Sequence, residues 1–332
     1  MHSLFRLFVA ISMPMLALGI VTRHDVSAEA FYKREASHGC AFTYDPEHGA
    51  LQDCACSCGA TMVAPRWAVS AAHCFAEGPT KLVGKSINIH GKAAQVENVF
   101  LHPCGLEAND RINRGQENIP NKDVALIYFA AGLPTVQTCP IYEKAFGSEK
   151  NSTITIVGTG LSGVANMRDE ELNCDWKVRA AQNVVEATEY SMIRMRFDPP
   201  DRSLRLEGIA GDGDSGGPAF ITVGGKSYVA AVSSYGDPIA SVGKHAARFR
   251  SSAPGELAPE MDSSLVNRNV TRTGHCFGRR HSRAKRRQKG DVWGYNSLDF
   301  YAALSDVKPW IDETMRTASA VGRCTDYTGM TQ

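Results

Sequence analysis

Three short stretches of this chain carry residue types that together could turn a serine into a nucleophile. Ala71-Ala72-His73-Cys74 closes the strand-like run Trp67-Ala68-Val69-Ser70, Asp123-Val124-Ala125-Leu126 sets an acid at the head of an apolar run, and Gly211-Asp212-Gly213-Asp214-Ser215-Gly216-Gly217-Pro218 surrounds a serine with glycines. A serine hydroxyl is a weak nucleophile at neutral pH and needs an adjacent base, which an imidazole supplies. A lone histidine is usually structural and a glycine-rich stretch is usually a turn. All three stretches in the order His, Asp, Ser point to one chemistry, nucleophilic hydrolysis.

Other motif matches do not survive inspection. Gly158-Thr159-Gly160-Leu161-Ser162-Gly163 fits G-x-G-x-x-G, but a dinucleotide site needs a helix to open there so that its N-terminus can hold the pyrophosphate. The next residues, Val164-Ala165-Asn166-Met167-Arg168-Asp169, do not read as a helix. Gly84-Lys85-Ser86 ends like a phosphate-binding loop, yet the position that requires glycine is Pro79. Cys54-Ala55-Cys56-Ser57-Cys58 is spaced too tightly for an ordinary zinc site and has no second pair. Neither a metal nor a cofactor is expected.

The elements that must position these residues read as strands. Thr61–Val69, Ser86–His90, Val124–Phe129, Thr153–Val157, Met192–Phe197 and Tyr228–Ser234 are short runs rich in Val, Ile, Thr and aromatics, separated by Gly, Pro, Asn and Asp clusters. Strands at this spacing suggest an all-β sandwich or barrel. One helix is expected near the end, over Ser305–Thr317, with Pro309 tolerable only in its first turn. Residues 240–290 break the pattern: they are polar and contain the basic run Arg279 to Lys289, read foremost as a solvated loop, with a processing site or polyanion-binding patch as alternatives.

Composition adds a compartment. The 332 residues are 43% hydrophobic with a net charge of +1, so no global bias draws the chain to nucleic acid or membrane. Leu7 to Ile20 is nearly all apolar, shorter than the about 20 residues that span a bilayer, and reads as the core of a signal peptide. Small residues for its cleavage stand at Ala17-Leu18-Gly19 and again at Ala28-Glu29-Ala30, so the signal is expected to end at residue 19 or at 30. Ten cysteines suit an exported, oxidised protein, extracellular or periplasmic, with no stable membrane insertion.

The chain resembles the trypsin/chymotrypsin family of serine proteases, from about Ile20 to Ile311 apart from the polar insertion. Beyond the three stretches above, Cys58-Gly59-Ala60-Thr61 resembles the family's C-G-[GA]-[ST] strand, Gly158-Thr159-Gly160 its G-W-G, and Ser234-Tyr235-Gly236 its S-W-G. Tyr301 through Trp310-Ile311 is similar to its closing strand and helix. The resemblance implies an all-β fold of two six-stranded antiparallel β-barrels packed face to face with a C-terminal α-helix. The first half would cover residues 20–140 and hold His73 and Asp123. The second would cover 141–317 and hold Ser215, leaving 318–332 as a tail.

The same resemblance implies the roles. His73 would act as the general base, Asp123 would orient it, Ser215 would attack, and the N–H groups of Gly213 and Ser215 would form the oxyanion hole. Cys58 would bond Cys74. A new N-terminus at Ile20 would pair with Asp214 to order that loop. Ile209, Ser234, Tyr235, Gly236 and Asp299 would line the substrate pocket. Ile209 stands where trypsin-like members keep an acid, whereas Asp299 could offer a carboxylate to a substrate Arg or Lys from another wall. The chain departs from the family at Gly211, where many members carry a bonded cysteine, and at Cys40, Cys54 and Cys56, one of which is expected to bond Cys139. The implied function is secreted endopeptidase action through an acyl-enzyme, with peptide or protein substrates as partners, room for protein inhibitors, and no nucleic acid. A catalytically inactive protease-like binding protein and a serine esterase are the alternatives.

Overall fold

The computed structural model describes residues 20–32, 38–107, 119–168, 171–237, 292–319 and 324. The expected signal segment 1–19, the insertion 240–290 with its basic run, and most of the tail lie outside the described residues.

Two six-stranded sheets dominate. The first joins β2 (Ala41–Tyr44), β3 (Cys58–Ala64), β4 (Trp67–Ser70), β7 (Ala125–Phe129), β6 (Lys92–Leu101) and β5 (Ser86–Ile89), in that spatial order and antiparallel throughout. Its end strands, β2 and β5, approach each other, giving a barrel-like sheet. Both bury every second side chain, the alternation that a half-solvated strand requires. The second sheet is a closed barrel of β11 (Arg179–Glu189), β12 (Met192–Arg196), β17 (Leu298–Ala303), β15 (Lys226–Asp237), β14 (Pro218–Val223) and β8 (Thr153–Gly158). The expected architecture of two six-stranded antiparallel barrels and a C-terminal helix is the one observed.

Two local expectations need correction. The run Thr61–Val69 is a hairpin rather than one strand: Pro65-Arg66 turns between β3 and β4, and proline has no N–H for a ladder bond. The C-terminal helix, α2 (Leu304–Thr317), following a one-turn α1 (Glu29–Tyr32), carries Pro309 in its second turn rather than its first. The bond lost there is offset by burial of Leu304, Val307 and Ile311 against the barrels.

One apolar cluster crosses from Tyr44, Met62 and Phe129 of the first sheet to Phe220, Val232 and Phe300 of the second. A small third sheet sets β1 (Ile20–Thr22) between β13 (Gly208–Ile209) and β9 (Ser162–Val164). The stretch after β8 thus runs into a strand, as expected when the dinucleotide reading is set aside. Cys58 bonds Cys74, closing a loop worth about 3 kcal/mol in the chain-entropy account. Cys139 takes Cys40, while Cys54 pairs with Cys174 and Cys104 with Cys324. Cys56 is disulfide-bonded as well, and no described cysteine is free.

Candidate active site

Strands β4 and β7 are antiparallel neighbours with Ser70 opposite Ala125, so the chain just beyond β4 and just before β7 meets at one end of the sheet. There a 3-10 turn, Ala72–Phe75, carries His73, and Asp123 stands two residues before β7. Asp123 Oδ2 lies 2.7 Å from His73 Nδ1 while Oδ1 accepts the His73 main-chain N–H at 2.8 Å. Ser234 Oγ donates to Oδ2 at 2.7 Å. An ionised carboxylate only accepts, so the imidazole proton sits on Nδ1 and leaves Nε2 as the basic nitrogen. Both groups are buried. Burial disfavours the imidazolium, but the charge of Asp123 and its hydrogen bond outweigh this and hold His73 above the ordinary histidine range. Burial likewise pushes Asp123 up, and the His73 charge with the surrounding donors more than reverses it.

Ser215 reaches this place from the second barrel, three residues before β14. Its carbonyl accepts the Gly59 N–H of β3 at 2.6 Å, and Gly216 N–H donates to Ser233 O at 2.8 Å. Gly216 has φ +75°, and a Cβ on it would strike Ser70 Oγ and lie 2.8 Å from Ala71 N, beside the turn that holds His73. Only glycine lets the two barrels close to this distance. Ser215 Oγ makes no hydrogen bond to a described residue, His73 included. Such contacts often tighten only when substrate is present.

The loop before Ser215 leaves two donors unused. Asp212 O accepts from Leu161 N at 2.6 Å. In a trans peptide the C=O and N–H point opposite ways, so this bond turns the Gly213 N–H to the other side. The N–H groups of Gly213 and Ser215 donate to no described residue. Gly213, at φ +92°, provides the sharp bend between them. Unpaired amides on one tight loop are the kind of donor that can receive an oxyanion.

Asp214 lies beneath the loop. Its Oδ1 accepts from Gly160 N at 2.7 Å and its Oδ2 from Gly211 N at 2.9 Å, and burial pushes the carboxyl up to about 6. No ion pair joins it to a described residue. Ile20 is buried at the start of β1, opposite Ser162 and one residue from the Val21–Ile209 pair, without a hydrogen bond to Asp214. Its φ is +65°, a left-handed torsion that a β-branched residue rarely adopts.

The residues expected to line a substrate pocket are distributed unevenly. Asp299 stands opposite Gly236 in the β15–β17 ladder and accepts the Ala210 N–H at 2.8 Å. Burial, with the charge of Asp214 adding to it, pushes its carboxyl up to about 8. Ile209, next to Ala210, is buried in a cluster with Val21, Phe197 and Trp293. Ser234 turns its hydroxyl to Asp123, and Tyr235 stacks on Phe300 with centroids 4.5 Å apart.

Sequence reading overlooked several supports. Trp293 packs so closely on Gly236 that a Cβ there would lie 2.8 Å from its ring. At Gly211, where a family cysteine would stand, a Cβ would strike the Leu161 carbonyl. Ser70 donates to Gly59 O at 2.8 Å and receives the Tyr44 hydroxyl at 2.9 Å, fixing the floor under His73. None of these has a local motif; each depends on a partner distant in sequence.

A comparison with curated proteins finds no match. A family model described as Trypsin matches residues 40–253, well over half of the chain and the stretch that carries His73, Asp123 and Ser215. With two barrel-like sheets and these side chains at their junction, the chain belongs to the trypsin family of serine proteases.

Proposed function

We propose that this chain is a secreted endopeptidase in which Ser215 attacks the scissile carbonyl. His73 takes the Ser215 proton and later gives it to the leaving amine, and Asp123 orients and charge-stabilises the imidazole. The observation that carries this reading is the grip of Asp123 on both the main-chain N–H and the ring of His73, with two free amides on the loop that bears Ser215. A fluorophosphonate should label the purified protein at Ser215, and peptides should be turned over along with simple esters. An unlabelled Ser215 would leave a protease-like binding protein, and turnover of esters alone would leave an esterase.

Activation follows from the first strand. Cleavage after Gly19 would give Ile20 a free ammonium able to pair with Asp214, a buried carboxylate otherwise held by main-chain donors. The strained torsion at Ile20 is defined by the carbonyl carbon of Gly19, so breaking that bond abolishes it. Removal of the signal peptide alone would then yield active enzyme. N-terminal sequencing of active protein should begin at Ile20. Full activity from a chain starting after Ala30 would sink this route.

Asp299 favours a basic residue before the cut bond. A carboxyl raised to about 8 is mostly protonated at neutral pH. An Arg guanidinium entering the pocket would draw the proton off and bind the carboxylate with charge-assisted bonds. Chromogenic peptides ending in Arg, Lys, Phe, Leu and Ala should show preference for Arg or Lys. KM for the Arg peptide should fall as pH rises from about 7 to 9, through the range in which Asp299 ionises. Asp299→Gly should lose both effects; an unchanged preference for Phe or Leu in wild type and variant would refute the assignment.

A further inference from the structure

The loop from Gly211 to Ser215 has no disulfide of its own, yet a covalent bond stands one contact away. Cys54–Cys174 joins segments 120 residues apart, with Cα atoms separated by 5.6 Å. Cys54 opens a single 3-10 turn, Cys54–Cys56, capped by the Asp53 side chain, which accepts the Ala55 N–H at 3.0 Å. Ser57 follows the turn and is buried. Its hydroxyl carries one proton and lies 2.7 Å from Cys54 O and 3.2 Å from Gly213 O. A Cβ on Gly213 would overlap the Cys54 carbonyl oxygen, so the oxyanion loop is seated directly on the turn.

These contacts close a circuit. On the far side of the loop Asp212 O accepts from Leu161 N at 2.6 Å. Ser162, the next residue, exchanges main-chain bonds with Asn173 at 3.0 and 2.9 Å, and its hydroxyl donates to Asn173 O at 3.1 Å. Asn173 is joined in sequence to Cys174, which returns through the disulfide to Cys54. Gly213 is therefore held on both flanks: Leu161 fixes the Asp212–Gly213 peptide that presents its N–H, and Ser57 fixes the carbonyl of the next peptide, with the Cys54 carbonyl packed against its Cα. Withdrawing the donor means turning the chain about the Gly213 Cα, which breaks the Leu161 bond on one flank or displaces the Ser57 contact on the other.

We propose that Ser57, anchored by the Cys54–Cys174 disulfide, is a positioning residue that holds the Gly213 amide toward the oxyanion. The inference rests on the proteolytic reading above. It acts on a donor used only when charge develops, so it belongs in kcat rather than in ground-state binding.

The test compares wild type with Ser57→Ala, Ser57→Thr and the double variant Cys54→Ala, Cys174→Ala on the best peptide substrate. Ser57→Ala should lower kcat roughly 3- to 10-fold, the worth of one shared hydrogen bond, with KM within about 2-fold. The double variant should lose more, up to the roughly 100-fold that disabling one oxyanion donor costs. A peptide aldehyde, whose hemiacetal oxygen occupies the same hole, should weaken in parallel with kcat. Ser57→Thr keeps the hydroxyl and should restore both. Unchanged kcat and aldehyde affinity in Ser57→Ala, a loss confined to KM, or a threonine variant as impaired as alanine would overturn the inference while leaving an active wild type as a protease. A wild type whose Ser215 fails to react with fluorophosphonate would overturn the parent reading and this one together.

Discussion

Peptide hydrolysis by Ser215→Ala is expected to fall on the order of 10⁴-fold or more in kcat, leaving only the residue of rate that binding and the oxyanion hole supply. The fold should be untouched. Ser215 Oγ bonds no described residue, and the contact that docks this loop on the first barrel is main-chain, from Gly59 N–H to Ser215 O at 2.6 Å. The variant should therefore keep the wild-type thermal midpoint and circular dichroism while losing turnover of a fluorogenic peptide. Wild-type turnover in a folded alanine variant would exclude Ser215 as the nucleophile.

Asp123→Asn should be nearly as damaging, by about 10⁴-fold in kcat at neutral pH, despite its close match in shape. Asp123 accepts from His73 N, His73 Nδ1 and Ser234 Oγ. An amide has one accepting oxygen. If its NH₂ takes the Oδ2 position it faces Nδ1, forces the proton to Nε2, and removes the base. If it takes the Oδ1 position it meets the His73 main-chain N–H, donor against donor. The pH profile gives a second readout. His73 must be neutral to accept a proton, and Asp123 holds it above the ordinary histidine range. The acid limb of kcat/KM in wild type should lie correspondingly high, with activity lost as pH falls through it. In the asparagine variant the limb should move to lower pH. A limb that stays in place, or a variant within tenfold of wild type, would separate Asp123 from the imidazole.

The parts of this molecule legible in its sequence were those whose chemistry is written in adjacent residues. His73 at a strand end, Asp123 before an apolar run and Ser215 among glycines each have a local pattern, and the glycines are explained by positions where a Cβ would collide. The strand content was readable from side-chain types. Strand limits were less so: in Thr61–Val69 a proline turn hides between two runs of the same composition, and residue type alone does not separate a hairpin from a long strand. Side chains whose partners lie far off were illegible. Ser234 reads only as a pocket wall, and its bond to Asp123 from 111 residues away has no local signal; Ser57 meets Gly213 across 156. The cysteines behave alike. Three stood as partners for Cys139, and Cys40 is selected because both cysteines flank Met62 of β3: Cys40 O accepts the Met62 N–H, and Met62 O accepts the Cys139 N–H.

The order in which the second barrel closes bears on how the cell handles this chain during synthesis. Strand β17 lies between β12 and β15, so the ring is complete only when Leu298–Ala303 is in place. His73 and Asp123 leave the ribosome early, well before Ser215 is made. Ser215 comes later, but the strand β15 that supplies Ser233 and Ser234 to its loop and to Asp123 has no permanent neighbour on one side until β17 arrives. On the proteolytic reading, a growing chain would carry every reacting group well before the barrel that aligns them is closed, and the arrival of the final strand would mark the earliest point at which self-digestion could begin.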